Sequence, residues 1–115
     1  MSERATGSRA ADGMGDARFT CLVPAYNEAD RIAAVLAAVV GHPMLSEVIV
    51  IDDGSSDGTG AVARKCGAQV IRTAGNLGKT GALLRGLAEV STSHVVLIDA
   101  DLSGLSRQAV SALIR

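Results

Sequence analysis

The chain has 115 residues and a mass of 11.7 kDa, which allows one domain or part of one. With 48% apolar and 20% charged residues it can build a core, so disorder throughout is excluded, and a formal charge of -1 offers no basic face for a nucleic-acid backbone. There is no run near the roughly 18 apolar residues of a membrane span and no apolar signal core in residues 1–18; the two cysteines, Cys21 and Cys66, sit among apolar residues, as in a reduced cytoplasmic protein rather than a disulfide scaffold.

Residues 1–18 are rich in Gly, Ser, Ala, Arg and Asp and show no period, so too little apolar area exists to offset ordering entropy. A flexible tail is expected there and a folded domain over 19–115. An apolar strand over 19–23 opens the domain. Asn27 then reads as an N-cap, with Asp30 three residues on, for a helix over about 28–40. Ile32, Val35, Leu36 and Val39 share its inner face, and Gly41 and Pro43 stop it. The strand at 47–51 is a nearly continuous Val/Ile run, the pattern of a strand covered on both faces. A helix over about 59–66 follows, with Val62 and Cys66 four apart and Gly67 as its C-cap. Next come a strand at 69–72, a helix over about 80–90 with Leu83, Leu84, Leu87 and Val90 inward, and a second near-continuous strand at 94–98. A last helix begins near Ser106 and is still running at Ile114. The regular alternation predicts an α/β fold: a mostly parallel, Rossmann-like sheet with helices on both faces.

In such sheets ligands bind beyond the carboxyl ends of the strands, and polar residues accumulate there. Pro24-Ala25-Tyr26-Asn27-Glu28 follows the first strand, Asp52-Asp53-Gly54-Ser55-Ser56-Asp57-Gly58-Thr59 the second, Gly75-Asn76-Leu77-Gly78-Lys79 the third and Asp99-Ala100-Asp101 the fourth. Ser55, Ser56 and Asp57 read mainly as turn and cap residues. Asp52 and Asp53, adjacent acids after Val-Ile-Val-Ile, point to function. Asp99 and Asp101 are two apart, so on an extended segment their carboxylates share a side. They repel unless a cation sits between them, and a hard divalent ion with oxygen ligands can do this while holding a diphosphate. The alternative is a solvated turn in which Asp101 caps the next helix.

Other motifs fail on spacing. Gly78-Lys79-Thr80 would end a phosphate loop only with glycine at 73, where Thr73 stands, and Gly54, Gly58 and Gly60 lack the later glycine at Ala63. A phosphatase nucleophile at Asp99 does not suit its place after three complete strand-helix units. His42 and His94 are too few for a zinc cluster and read as structural or exposed. A receiver-like signalling domain suits the length, but its acidic pair follows the first strand rather than the second.

Taken together, Val23-Pro24-Ala25-Tyr26-Asn27-Glu28, Val50-Ile51-Asp52-Asp53-Gly54-Ser55-Ser56-Asp57-Gly58-Thr59, Asn76-Leu77-Gly78-Lys79 and Leu97-Ile98-Asp99-Ala100-Asp101, in that order, resemble the inverting family-2 glycosyltransferases of the GT-A fold. The resemblance covers 19 to about 105, and the Gly-Lys-x-Gly-Ala-Leu and Asp-Ala-Asp-Leu stretches look like enzymes that use polyprenyl phosphate and like glucosyl-phosphoglycerate synthases. It implies a nucleoside pocket lined by Pro24, Tyr26 and Glu28, with Asp52 accepting from the base and Asp53 supporting that loop. It implies Lys79 near the phosphates, and Asp99 and Asp101 at Mg2+ or Mn2+, Asp101 being the direct ligand. The donor would be a nucleotide sugar, UDP-glucose or GDP-mannose.

The resemblance also implies that the acceptor pocket and the catalytic base belong to a later portion of such enzymes. The sequence closes inside a helix at Arg115 without a C-cap. The expectation is therefore the donor-binding half of a GT-A domain, inactive in sugar transfer by itself. A second copy or a complementing C-terminal fragment would cover its bare edge, and no nucleic-acid partner is expected. The expected location is cytoplasmic, at the inner face of the membrane if the acceptor is a lipid.

Overall fold

The computed structural model describes residues 18–114. Strands and helices alternate as β1 (Phe19–Ala25), α1 (Ile32–Val39), β2 (Glu47–Asp52), α2 (Thr59–Lys65), β3 (Gln69–Arg72), α3 (Gly78–Leu87), β4 (His94–Leu97) and α4 (Arg107–Ile114). The tail expected over 1–18 lies outside the described residues except for Arg18. The carbonyl of Arg18 accepts the His94 amide at 3.0 Å, which extends the β1–β4 pairing to the residue before β1.

The strands form one sheet in the order β3-β2-β1-β4, with every neighbour parallel. Alternate residues of the central strands feed two cores. Cys21, Val23, Val48 and Val50 pack with α1, α2 and α4 through residues such as Leu36, Ala63 and Val110. Leu22, Ile49 and Ile51 pack on the opposite face with Ala82 of α3. The continuous apolar run of β2 thus reflects cover on both faces, as expected. The similar run in β4 does not: β4 is an edge strand whose His94 and Leu97 are exposed. A β-branched run records how apolar a strand is, not which neighbours it receives.

Two helices differ from expectation at their starts. α1 begins at Ile32 rather than near 28, and no side chain caps it. Asn27 cannot be its N-cap, because it stands in the left-handed region at φ +54° with its side chain turned to another loop. α3 begins two residues early and buries Ala82 and Gly86, not the predicted leucine stripe. Leu83 and Val90 are half-buried, but Leu84 is 63% and Leu87 45% exposed. The reason is close approach: a Cβ on Gly86 would lie 2.7 Å from Ile51 Cδ1, so this helix seats its smallest residues on the sheet and splays its leucines aside. α2 ends as expected. Gly67 has φ +93°, and the Ala68 amide donates to the Ala63 carbonyl while that of Gly67 donates to Arg64, a Schellman closure.

His42 is buried and structural. Its Nδ1 accepts from the Met44 amide, while Nε2 lies 3.1 Å from the Arg107 carbonyl and 2.9 Å from Ser111 Oγ, tying α4 to the turn before β2. His94 stacks on Phe19 with centroids 4.9 Å apart. Both cysteines are free thiols, and burial pushes Cys21 up to about 12. Among the described residues no helix is long and apolar enough to cross a membrane.

Candidate functional site

The polar clusters after all four strands gather at the carboxyl edge of the sheet. Between them lies a cleft of about 490 Å³, a size suited to a small organic ligand. Pro24, Tyr26 and Glu28 line it from the end of β1, and Asp53 lines it from the end of β2. Asn76 and Lys79 line it from the β3–α3 connection, and Asp99 and Asp101 from the end of β4. Because β1 lies between β2 and β4, Asp53 and the Asp99/Asp101 pair stand at opposite ends, with the β1–α1 loop between them.

The adjacent acids at the end of β2 separate. Successive strand residues face opposite sides, and only Asp53 reaches the cleft. Its Oδ1 accepts from the Thr73 hydroxyl at 2.6 Å and the Leu77 amide at 3.0 Å, and its Oδ2 from the Gly78 amide at 3.0 Å. Asp53 therefore holds the first turn of α3, and with it Lys79, against the sheet. Asp52, expected at the base, is 1% exposed and does not line the cleft. Its Oδ2 accepts Arg72 Nη1 at 2.8 Å, and its Oδ1 accepts the Ser55 amide at 2.9 Å. Arg72 also donates to the Ser55 carbonyl at 2.9 Å, so the pair fixes the β2–α2 loop.

At the far end the chain leaves β4 one residue earlier than predicted. Residues 99–102 form a turn, with the Leu102 amide 3.3 Å from the Asp99 carbonyl, rather than an extended segment. Asp99 and Asp101 nevertheless line the same cleft. Asp101 does not cap α4: Ser106 Oγ does, accepting the Ala109 amide at 3.0 Å. The Lys79 ammonium bonds Asp99 Oδ1. That hydrogen bond and the charge of Asp99 hold Lys79 above its ordinary value, and Asp101 adds to the effect. So Asp99 accepts a cation in this geometry, and a second acid faces the same ammonium. Among the described residues no three His, Cys, Asp or Glu side chains converge. A divalent ion here would take two protein carboxylates and complete its shell with water and phosphate oxygens, as magnesium-type ions do. The donor set fits.

The two carboxylates with lowered proton affinity lie away from that pair. Burial pushes Asp53 upward, but the Thr73 hydroxyl and the Leu77 and Gly78 amides outweigh it and leave Asp53 below the ordinary carboxylate range. Asp57 is held below that range first by the Thr59 hydroxyl, with the Ala29 and Thr59 amides adding to it against a desolvation cost. Folded values below unfolded ones mean that the unfolded chain binds more protons. The stabilisation is therefore full above the ordinary carboxylate value of about 4 and is lost as pH falls through the lowered folded values. Urea midpoints followed from about pH 7 to about pH 2.5 should drop in that window, and drop less steeply in Asp53→Asn and Asp57→Asn. A parent midpoint independent of pH there would contradict the assignment.

Three partners of the site escaped sequence reasoning. Arg31 pairs with Glu28 at 2.6 Å, Arg72 with Asp52, and Thr73 with Asp53. Asp52 and Arg72 are directly paired in the parallel register, so opposite charges at the ends of neighbouring strands were the available signal.

A family model described as glycosyl transferase family 2 matches residues 20–106. A 4,4'-diaponeurosporenoate glycosyltransferase from Staphylococcus aureus is 36% identical over 101 residues, covering 84% of this chain and 27% of its own length. Glucosyl-3-phosphoglycerate synthase from Mycobacterium tuberculosis, solved with Mn2+, UDP and glucosyl-3-phosphoglycerate, matches with a TM-score of 0.75 and 33% identity, over 84% of this chain and 38% of that one. Mannosyl-3-phosphoglycerate synthase from Rubrobacter xylanophilus gives a TM-score of 0.71 and 27% identity, over 78% of this chain and 32% of that one. The chain spans 27% of the length of the curated relatives it matches.

Proposed function

The chain belongs to glycosyl transferase family 2, and from that premise we propose that its cleft holds the nucleoside diphosphate of a nucleotide-sugar donor, UDP-glucose or GDP-mannose. One observation carries this reading: a single cleft is lined both by Lys79, Asp99 and Asp101, which we assign to its phosphate end, and by Tyr26, Glu28 and Asp53, which we assign to its nucleoside end. The charged end suits a diphosphate with Mg2+ or Mn2+ held by Asp99 and Asp101. The other end suits a nucleoside, with Pro24 and the half-exposed Tyr26 ring offering apolar surface and Glu28 a ribose or base contact. Asp53 and Asp52 support that end through the loops they hold. A relative's complex with Mn2+ and UDP is in keeping with this division.

The reaction is a single displacement with inversion. An acceptor hydroxyl attacks the anomeric carbon opposite the diphosphate, the carbon–oxygen bond to phosphate breaks, and the hydroxyl proton passes to a base. A bound divalent ion supplies charge neutralisation of the departing diphosphate. Lys79 exchanges its bond to Asp99 for one to the phosphates, orienting them against the β4 end. The acids that line the cleft, Glu28, Asp53, Asp99 and Asp101, are assigned to the donor side, so the base and the acceptor pocket are assigned to other parts of the enzyme. Acceptors of the class are phosphorylated or hydroxylic small molecules, with polyprenyl phosphate as a lipid version. The corresponding location is cytoplasmic, at the inner face of the membrane in the lipid case.

Calorimetry with UDP, UDP-glucose, GDP and GDP-mannose, with and without Mn2+, tests the reading. Metal-dependent binding of one nucleotide series is expected from the 115-residue chain, without acceptor-dependent release of nucleoside diphosphate. A folded sample that binds neither series overturns the donor site; acceptor-dependent release overturns the assignment of the base elsewhere.

A further inference from the structure

Resting on that donor-site reading, we propose that Ser55, Asp57 and Thr59 are positioning residues for nucleoside recognition: a side-chain ladder from the β2–α2 loop that sets the β1–α1 loop in its binding conformation. Three consecutive amides of the β1–α1 loop are each accepted by a different side chain of this ladder. The Asn27 amide donates to Ser55 Oγ at 2.8 Å, the Glu28 amide to Thr59 Oγ1 at 3.0 Å, and the Ala29 amide to Asp57 Oδ2 at 3.1 Å. One bond runs the other way, from the Ser56 amide to Asn27 Oδ1 at 2.9 Å.

Thr59 is the pivot. It is fully buried, and its hydroxyl donates to Asp57 Oδ1, which leaves a lone pair aimed at the Glu28 amide. Asp57 thus acts twice, once on Ala29 and once by orienting Thr59. The ladder also fixes Asn27 at φ +54°, a left-handed conformation that asparagine tolerates better than most residues. Tyr26 and Glu28 flank Asn27 and both line the cleft. No member of the ladder does so. The β2–α2 loop therefore acts on a ligand through its neighbour and not by contact. Its own footing is firm, since Asp52 and Arg72 hold Ser55 from below.

The ladder holds the loop that carries Tyr26 and Glu28, the side chains assigned to the nucleoside, whereas Lys79, Asp99 and Asp101 are assigned to the diphosphate. Damage to the ladder should therefore separate two affinities that a general loss of structure would lower together. Binding of UDP, GDP and inorganic pyrophosphate, each with Mn2+, is measured for the parent, Asp57→Ala, Thr59→Val and Thr59→Ser, with urea midpoints as the control for folding. The parent is expected to bind one nucleotide more tightly than pyrophosphate. Asp57→Ala and Thr59→Val should each lose about tenfold in affinity for that nucleotide, the cost of leaving loop amides without acceptors, and should keep the pyrophosphate affinity. Thr59→Ser, which retains the hydroxyl, should rescue nucleotide binding. Variants that hold the nucleotide as tightly as the parent, or that lose nucleotide and pyrophosphate in equal proportion, overturn the proposal. A parent that binds neither nucleotide overturns the donor-site reading itself and the ladder's role with it, a result distinct from unchanged variants on a binding parent.

Discussion

Gly54→Ala should lower the free energy of unfolding by about 2–5 kcal/mol, from two sources that add. Gly54 has φ +81°, where any β-carbon meets the following carbonyl, a strain of about 1–2 kcal/mol. The same β-carbon would stand 2.5 Å from Gly75 Cα. That neighbour is backbone, so it cannot swing aside as a side-chain tip would, and overpacking of this kind costs about 1–3 kcal/mol more. Gly58 supplies the control. Its φ is +85°, but a β-carbon there meets nothing within 4 Å, so Gly58→Ala should show the strain alone. Urea denaturation of both variants at constant slope measures the difference. Equal losses would mean that the Gly54–Gly75 contact contributes nothing. The contact matters to the site because Gly54 follows Asp53 and Gly75 precedes Asn76, so two walls of the cleft meet backbone to backbone.

Asp101→Ala should reduce Mn2+-dependent binding of UDP or GDP, whichever the parent prefers, on the order of a hundredfold. Even changes beyond a metal's direct ligands commonly cost ten- to a hundredfold, and here one of only two carboxylates is removed. Asp99→Ala should behave differently. It also removes a carboxylate, but it frees the Lys79 ammonium for the diphosphate. Its loss with Mn2+ should be smaller than that of Asp101→Ala, while its metal-free nucleotide affinity should rise above the parent's. Paired titrations with Mn2+ and with chelator separate the two variants. An Asp101→Ala protein whose nucleotide affinity still responds fully to Mn2+ would remove Asp101 from the proposed metal site.

The alternation of strands and helices carries the architecture because each strand is a short, largely apolar run followed by a polar turn, and the polar turns fall at strand ends. That logic located the cleft and brought Tyr26, Glu28, Asp53, Lys79, Asp99 and Asp101 to it. It did not divide Asp52 from Asp53, although period-two geometry demands that two adjacent strand residues face opposite ways. It also misjudged α3, since the leucine stripe is the stronger apolar signal while the packing surface is Ala82 and Gly86. Which face of a helix meets a sheet depends on how closely the backbones approach, and small residues encode that approach without any hydrophobic periodicity. Asn27 was misread for a related reason. Its residue type suits both a helix N-cap and a left-handed turn, and the choice is made by Ser55, Asp57 and Thr59, which are remote in sequence.

The position of β1 in the middle of the sheet has a consequence for how the molecule comes into being. Of the four described strands, β1 is synthesised first, and both of its neighbours pair with it later. It can recruit β2 as soon as α1 has folded back, and β3 can then add to β2. Its other edge must wait for β4, because Phe19 pairs with His94 near the opposite end of the described chain. Such a sequence-distant parallel pairing must meet its loop-closure cost before its contacts reward it, and is therefore slow to form. During synthesis, then, an apolar strand edge stays open until residues 94–97 arrive. In that interval the nascent chain is most exposed to mispairing with another copy, and the β4 pairing that carries Asp99 and Asp101 to the cleft is the step that ends it.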